Sequence, residues 1–204
     1  MSPTQRISII AIFTSLAVAT DYAMGPITNV KLVFTLVFAS AYSFGLKIGV
    51  TIALLTEFIW GIVSPYGSPT LIIVFLMGAT VIYALAGWMA SKIWSRNINP
   101  VSYLNLVFGS IIAVCAFAWD TITNFGTGLL MMGAKAATFS GFLIYEANPF
   151  TLYFMVMHEL GDFILGGALA PVIIVYFLKA FGVRTVTVHS KKQEVTIRQS
   201  LLPT

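Results

Sequence analysis

The chain has 204 residues, of which 58% are hydrophobic and only 9% charged, against about 25% charged in a soluble domain. A soluble globule of this size is mostly surface and cannot hide so much apolar side chain, so the composition excludes a soluble enzyme, a disordered tail and a nucleic-acid-binding domain. The net charge of +4 is no argument for a nucleic-acid partner, and the single cysteine, Cys115, lies in an apolar run, which excludes a disulfide framework or a thiolate metal site.

The first apolar run covers Ile7 to Met24 and stops at the breaker Gly25-Pro26. A second runs from Ile27 to Phe44 and closes at Gly45. A third covers Lys47 to Val63 and ends at Ser64-Pro65-Tyr66-Gly67-Ser68-Pro69, which cannot be regular helix. A fourth covers Thr70 to Ile93, before the polar break Ser95 to Pro100. A fifth covers Ser102 to Asn124 and extends towards Met132; the last runs from Pro149, well placed for a first helical turn, to Phe181. Such long apolar runs predict helices, not a barrel of alternating strands. The expected fold is all-α: an integral membrane bundle of six transmembrane helices over residues 1–182, with a basic cytoplasmic tail at 183–204.

Six spans put both termini on one side. Nine of the eleven basic residues fall on that side, and only Lys31 and Lys135 on the other. The positive-inside rule then makes both termini cytoplasmic and puts the Ser64–Pro69 and Gly133–Asn148 loops outside a multi-pass protein of the plasma membrane. Arg6, a short apolar run and Ala17-Val18-Ala19 imitate a signal peptide, but the run continues to Met24, and cleavage would spoil the charge asymmetry. In the tail, Thr185–Val188 and Glu194–Ile197 alternate like a small hairpin. The favoured reading is a basic segment near anionic headgroups.

Ionisable residues inside spans are costly and mark function by default. Glu57, Asp120, Glu159 and Asp162 are the clear cases; Asp21 and Lys31 sit near helix ends, where they reach water. At about 1.5 Å per residue, Glu57, Asp120, His158 and Asp162 fall at mid-membrane or in the outer half. The inner half of each span is almost free of charge, which predicts an outward polar pocket over an apolar floor. Asp120 and Asn124 are four residues apart, as are His158 and Asp162, so each pair shares a helix face. Trp60, Tyr66, Trp119, Tyr145 and Tyr153 cluster towards the same side; an interfacial belt is their commoner role, and Trp119 and Tyr153, next to the pairs, are the expected ligand contacts.

His158-Glu159-Leu160-Gly161-Asp162 approaches the H-E-x-x-H helix of zinc proteases, but no other span supplies a histidine, and no metal or catalytic residue is expected. No G-x-S-x-G occurs, and Gly128 to Lys135 misses the spacing of a phosphate loop, so ATP is not a ligand of this chain. Ala11, Ser15 and Ala19 form a small-residue stripe on the first helix, read either as internal packing or as a docking face for a partner membrane protein.

These features resemble the substrate-binding S component of an energy-coupling factor transporter. Gly25 to Leu32 with Ala41-Tyr42-Ser43-Phe44-Gly45 and Lys47-Ile48-Gly49, the Glu57-Phe58-Ile59-Trp60-Gly61 exit, and Asp120 to Thr127 are similar to that family in order and spacing, the last nearest its cobalamin-type subgroup. Asp162 departs from that subgroup, which often has Asn four residues after the histidine. The resemblance implies capture of a vitamin-like molecule in an outward pocket. It also implies docking on a transmembrane scaffold subunit served by two ATPase subunits, which use the ATP. The implied ligand contacts are Asn29, Lys31, Glu57, Trp119, Asp120, Asn124, Tyr153, His158 and Asp162, and the implied docking face is Ala11, Ser15 and Ala19. The competing classes are a proton-coupled secondary transporter titrating Glu57, Asp120 or Asp162, and an intramembrane metalloprotease. Against the former, no inverted repeat is visible.

Overall fold

The computed structural model describes residues 1–27, 29–64, 72–94 and 98–181; the expectations for 65–71 and for the tail at 183–204 lie outside them, as does the side chain of Tyr145. The described chain is helical: α1 (Pro3–Met24), α2 (Val33–Phe44), α3 (Leu46–Val63), α4 (Ile73–Ile93), α5 (Leu104–Met132), a short 3-10 turn (Gly133–Ala137), α6 (Phe139–Glu146) and α7 (Pro149–Ala180). Five of these helices are long and apolar enough to cross a membrane, which makes this a multi-pass membrane protein.

The helices alternate in direction. Gly61 of α3 lies against Ile73 of α4, Trp119 of α5 bonds Thr80 of α4, and α5 runs antiparallel to α7 from Asn105–Gly167 to Asp120–His158. The C-terminal ends of α1 and α3, the start of α4 and the Gly133–Asn148 segment therefore share one end, called the upper end below.

α2 differs from the expected span. It has 12 residues, about 18 Å at 1.5 Å per residue, and not the run from Ile27 predicted by hydropathy. The described residues on either side of position 28, Gly25–Ile27 and Asn29–Leu32, are not helical; Asn29 takes φ 54°, and its Nδ2 donates to the Phe154 carbonyl of α7 at 2.9 Å. A left-handed residue cannot continue a right-handed helix. Every residue from Val33 to Ser43 is buried, so α2 is the central rod of the bundle, apolar on all sides because it meets protein on all sides. It touches α1, α3, α4, α5 and α7. Close approach requires small residues: a Cβ on Gly87 of α4 would collide with the Phe38 carbonyl oxygen of α2. Gly45, at φ 96° between α2 and α3, makes a reversal that L side chains rarely allow.

The ends obey local chemistry. Ser2 caps α1 in a reciprocal box with Gln5, and Pro3 follows at the first turn. Asn148 Oδ1 accepts from Thr151 N–H at 2.9 Å to cap α7 ahead of Pro149. Within α7, Pro171 lacks the N–H that would serve the Gly167 carbonyl. Asn105 of α5 replaces it, Nδ2 donating to Gly167 O at 2.7 Å. The Gly133–Asn148 segment, expected as a loop, is largely helical, with α6 capped by the Thr138 side chain.

The lower half is aromatic packing. Phe38, Tyr42 and Phe108 pack together and Trp94 lies against Phe108, while Phe13 meets Phe44 and Phe177. Ile9, Ile112 and Ile174 are fully buried.

Candidate functional site

The upper half carries a buried polar cluster drawn from four helices. On α5, Asp120 Oδ2 accepts from His158 Nδ1 of α7 at 2.9 Å. His158 Nε2 lies 3.8 Å from Asp162 Oδ2, too far for a hydrogen bond and without another partner. Asp162 Oδ2 instead accepts from Tyr83 Oη of α4 at 2.8 Å. A second chain runs beside it: Trp119 Nε1 donates to Thr80 Oγ1 at 2.9 Å, and Thr80 Oγ1 bonds Glu57 Oε1 of α3 at 2.9 Å. Phe34 of α2 joins the two, stacked on Tyr83 at 4.5 Å and near Trp119 and His158 at 5.3 and 4.9 Å. Helix spacing explains the assembly. Asp120 and Asn124 share a face of α5 as Thr80 and Tyr83 share one of α4, and α2 places Phe34 where those faces converge.

Two cavities open beside this cluster. One, of about 300 Å³, is lined by Trp119, Asp120, Thr123, Asn124, Asn29 and Phe154 among others. The other, of about 380 Å³, is lined by Asp21, Asn29, Lys31, Trp60 and Phe154 among others. They share Asn29 and Phe154, the two residues joined by the hydrogen bond from the α1–α2 turn. A third recess, of about 660 Å³, lies at the lower end, with Arg6, Lys47 and Trp88 in its wall; the aromatic layer of Phe38, Tyr42 and Phe108 belongs to the packed half between the two ends.

The expected residues divide accordingly. Trp119, Asp120 and Asn124 face the first cavity, Lys31 the second, and Asn29 both. His158, Asp162 and Glu57 are buried behind the cavity wall, at 0, 0 and 2% exposure; His158 holds the wall through Asp120, Glu57 through Thr80 and Trp119, and Asp162 is bonded to Tyr83 instead. Tyr153 is 54% exposed on the outer face of α7, its ring against Phe154. Glu159, next to His158, is half-buried and lines neither cavity. Asp21, read as an interfacial anchor, is instead buried at 4% exposure and lines the second cavity. Among the described residues no three His, Cys, Asp or Glu side chains form a metal-binding group. Ala11, Ser15 and Ala19 are all exposed on α1, so the stripe is not buried between helices of this chain.

Sequence reasoning missed Thr80, Tyr83, Phe34, Thr123 and Glu146. Asn124 Nδ2 donates to Glu146 Oε2 at 3.4 Å, a long bond that reaches α6 above the bundle. Burial pushes the Glu146 carboxyl above its ordinary pKa; the Asn124 bond opposes the rise and the charge of Asp120 adds to it. Thr80 and Tyr83 carried one available signal, polar groups three apart inside an apolar span; Phe34 carried none.

Compared with models of known protein families, with curated proteins and with solved structures, the chain matches none of them.

Proposed function

We propose that this chain is the substrate-capture subunit of an energy-coupling-factor-type importer of the plasma membrane. It spans the membrane six times with both termini inside, α2 being the short central span. It binds a small vitamin-like molecule at the upper, outward end. The observation that carries the reading is the pair of cavities with polar side chains at one end of the bundle, separated from the recess at the lower end by the packed aromatic layer of Phe38, Tyr42 and Phe108. A pocket over a closed floor captures a ligand but cannot pass it on alone; delivery needs a partner that moves the whole subunit. The exposed Ala11, Ser15 and Ala19 stripe supports the same reading, since small residues let a second helix approach closely in lipid. The chain itself performs no catalysis, and separate ATPase subunits supply the energy.

One observation favours a second reading. The buried Asp120–His158 pair with Asp162 and Tyr83 is a set of proton-exchanging groups, as a proton-coupled carrier would use. Its weakness is that the set ends at the aromatic layer of Phe38 and Phe108.

Native mass spectrometry of protein purified from rich medium, followed by uptake in vesicles containing the scaffold and ATPase subunits, separates the two. The capture reading expects a retained small molecule that Asp120→Ala loses, and uptake that needs ATP. Uptake by this chain alone, abolished by a proton ionophore, would overturn it.

A further inference from the structure

The second cavity contains a cation and an acid that the protein leaves apart. Lys31 Nζ lies 5.8, 5.8 and 5.5 Å from the ring centroids of Phe34, Trp60 and Trp119. Rings at that range attract an ammonium, but they do not replace the oxygen acceptors that its three N–H donors seek. Among the described residues, no carboxylate oxygen comes within the 4.0 Å of an ion pair with Lys31. Asp21, on α1, lines the same cavity at 4% exposure, and its Oδ1 is buried with no hydrogen-bond partner. Two opposite charges facing one cavity without touching define a gap. Leaving the buried Asp21 oxygen without a partner is costly, and contact with the part-buried Lys31 would have removed that cost.

The geometry points to a small zwitterion of amino-acid size as the ligand of this cavity, its carboxylate on Lys31 and its ammonium on Asp21. This rests on the substrate-capture reading and narrows it to a class of substrate. A ligand with a carboxylate alone would satisfy Lys31 and leave Asp21 unpaired. A cation alone would satisfy Asp21 and sit beside the like charge of Lys31. Only a molecule bearing both groups relieves both. The remaining wall is largely apolar, with Met24, Ile27, Val30, Trp60 and Phe154, and suits a hydrophobic side chain. The volume of about 380 Å³ leaves room for a molecule of amino-acid size.

The test is binding of the twenty amino acids to the full chain in detergent, by calorimetry. Each binder is compared with analogues lacking its amine or its carboxylate. At least one zwitterion is expected to bind, with both single-charge analogues weaker by about tenfold or more, the loss of one charge-assisted hydrogen bond. Lys31→Met and Asp21→Asn are each expected to lose tenfold or more in affinity for that zwitterion, while Lys31→Arg, which keeps the charge, loses less. The circular dichroism of Lys31→Met should stay that of the parent, as its stem is preserved. If no amino acid binds at about 10 mM, or if a single-charge analogue binds as tightly as the zwitterion, the inference is overturned. A retained native ligand without the charge pair would overturn this inference and leave the capture reading standing. Zwitterion binding without ATP-dependent uptake would do the reverse.

Discussion

Tyr83→Phe removes one oxygen, and its effect can be worked from the structure. Asp162 is fully buried, its Oδ1 has no hydrogen-bond partner, and Oδ2 accepts from Tyr83 Oη at 2.8 Å. The other polar neighbour of Oδ2, His158 Nε2, stands at 3.8 Å, too far to take over. Hydrogen bonds between membrane helices average about 0.6 kcal/mol and reach about 1.7. Leaving a buried acceptor unsatisfied costs about 1–3 kcal/mol. The second figure governs here, because after the substitution neither oxygen of Asp162 has a hydrogen bond among the described residues. The expected loss is about 2 kcal/mol, read from equilibrium unfolding in mixed detergent. The companion double variant Tyr83→Phe/Asp162→Leu removes both partners and puts an apolar group of similar shape at the acceptor. It should be at least as stable as Tyr83→Phe alone, since paired removal of a buried polar contact is close to neutral. A Tyr83→Phe loss below about 0.5 kcal/mol, or a double variant less stable than the sum of the singles, would refute the dependence of Asp162 on Tyr83.

Leu at Ala11, Ser15 or Ala19 should block co-purification with the scaffold subunit and spare ligand binding, because bulk on the exposed stripe keeps a second helix away while neither cavity is touched; Ser15→Ala should be silent in both assays. Gly87→Ala should destabilise by about 1–3 kcal/mol or prevent folding, since its Cβ meets the backbone of α2. Gly78→Ala, in the same helix with open space around it, should instead be neutral or stabilising by up to about 1 kcal/mol; thermal melts of the pair decide. Glu146 lies outside the long helices and holds its proton more tightly when folded. The folded state therefore binds more protons in that window, and stability falls as pH rises from the ordinary carboxyl value through the raised one. Glu146→Gln should flatten that part of the melting-temperature profile, and an unchanged slope would remove Glu146 as its source.

The parts of the fold legible in sequence were those bounded by residues with a hard local meaning. Gly45, Ser64 and Pro149 mark the ends of α2, α3 and α7 because a reversed φ, a pre-proline position and a missing N–H act over one or two residues. The start of α2 was not legible. Ile27, Val30 and Leu32 carried the apolar run on past Asn29 and Lys31, and what ends the helix there is one left-handed Asn29 held by a carbonyl 125 residues away. The site divides in the same way. Asp120, Asn124, His158 and Asp162 stood out because charge and amide groups are rare in spans, and i,i+4 spacing gave each pair a face. Which of them meets the cavity and which stands behind it depends on the rotation of α5 against α7, fixed along their whole contact, as at Asn105–Gly167 and Gly109–Phe163. Asp21 was not placed in the site because nearness to a helix end suggests exposure, whereas it is buried in a cavity it shares with Asn29, Val30 and Lys31.

The two cavities are better understood as one chamber than as two sites. They meet at Asn29 and Phe154, and a single hydrogen bond separates them at 2.9 Å. A bond of that kind in a membrane protein contributes roughly 0.6 kcal/mol, close to thermal energy, whereas the α2 rod below is buried along Val33–Ser43 and packed on every side. A ligand whose charged ends sit on Lys31 and Asp21 would set its apolar body against Phe154, whose carbonyl also holds the α1–α2 turn through Asn29. The turn is continuous with α1, the helix that carries the exposed Ala11, Ser15 and Ala19 stripe. On the capture reading, any shift of that turn on ligand binding would be carried along α1 to the proposed docking face without passing through the aromatic core.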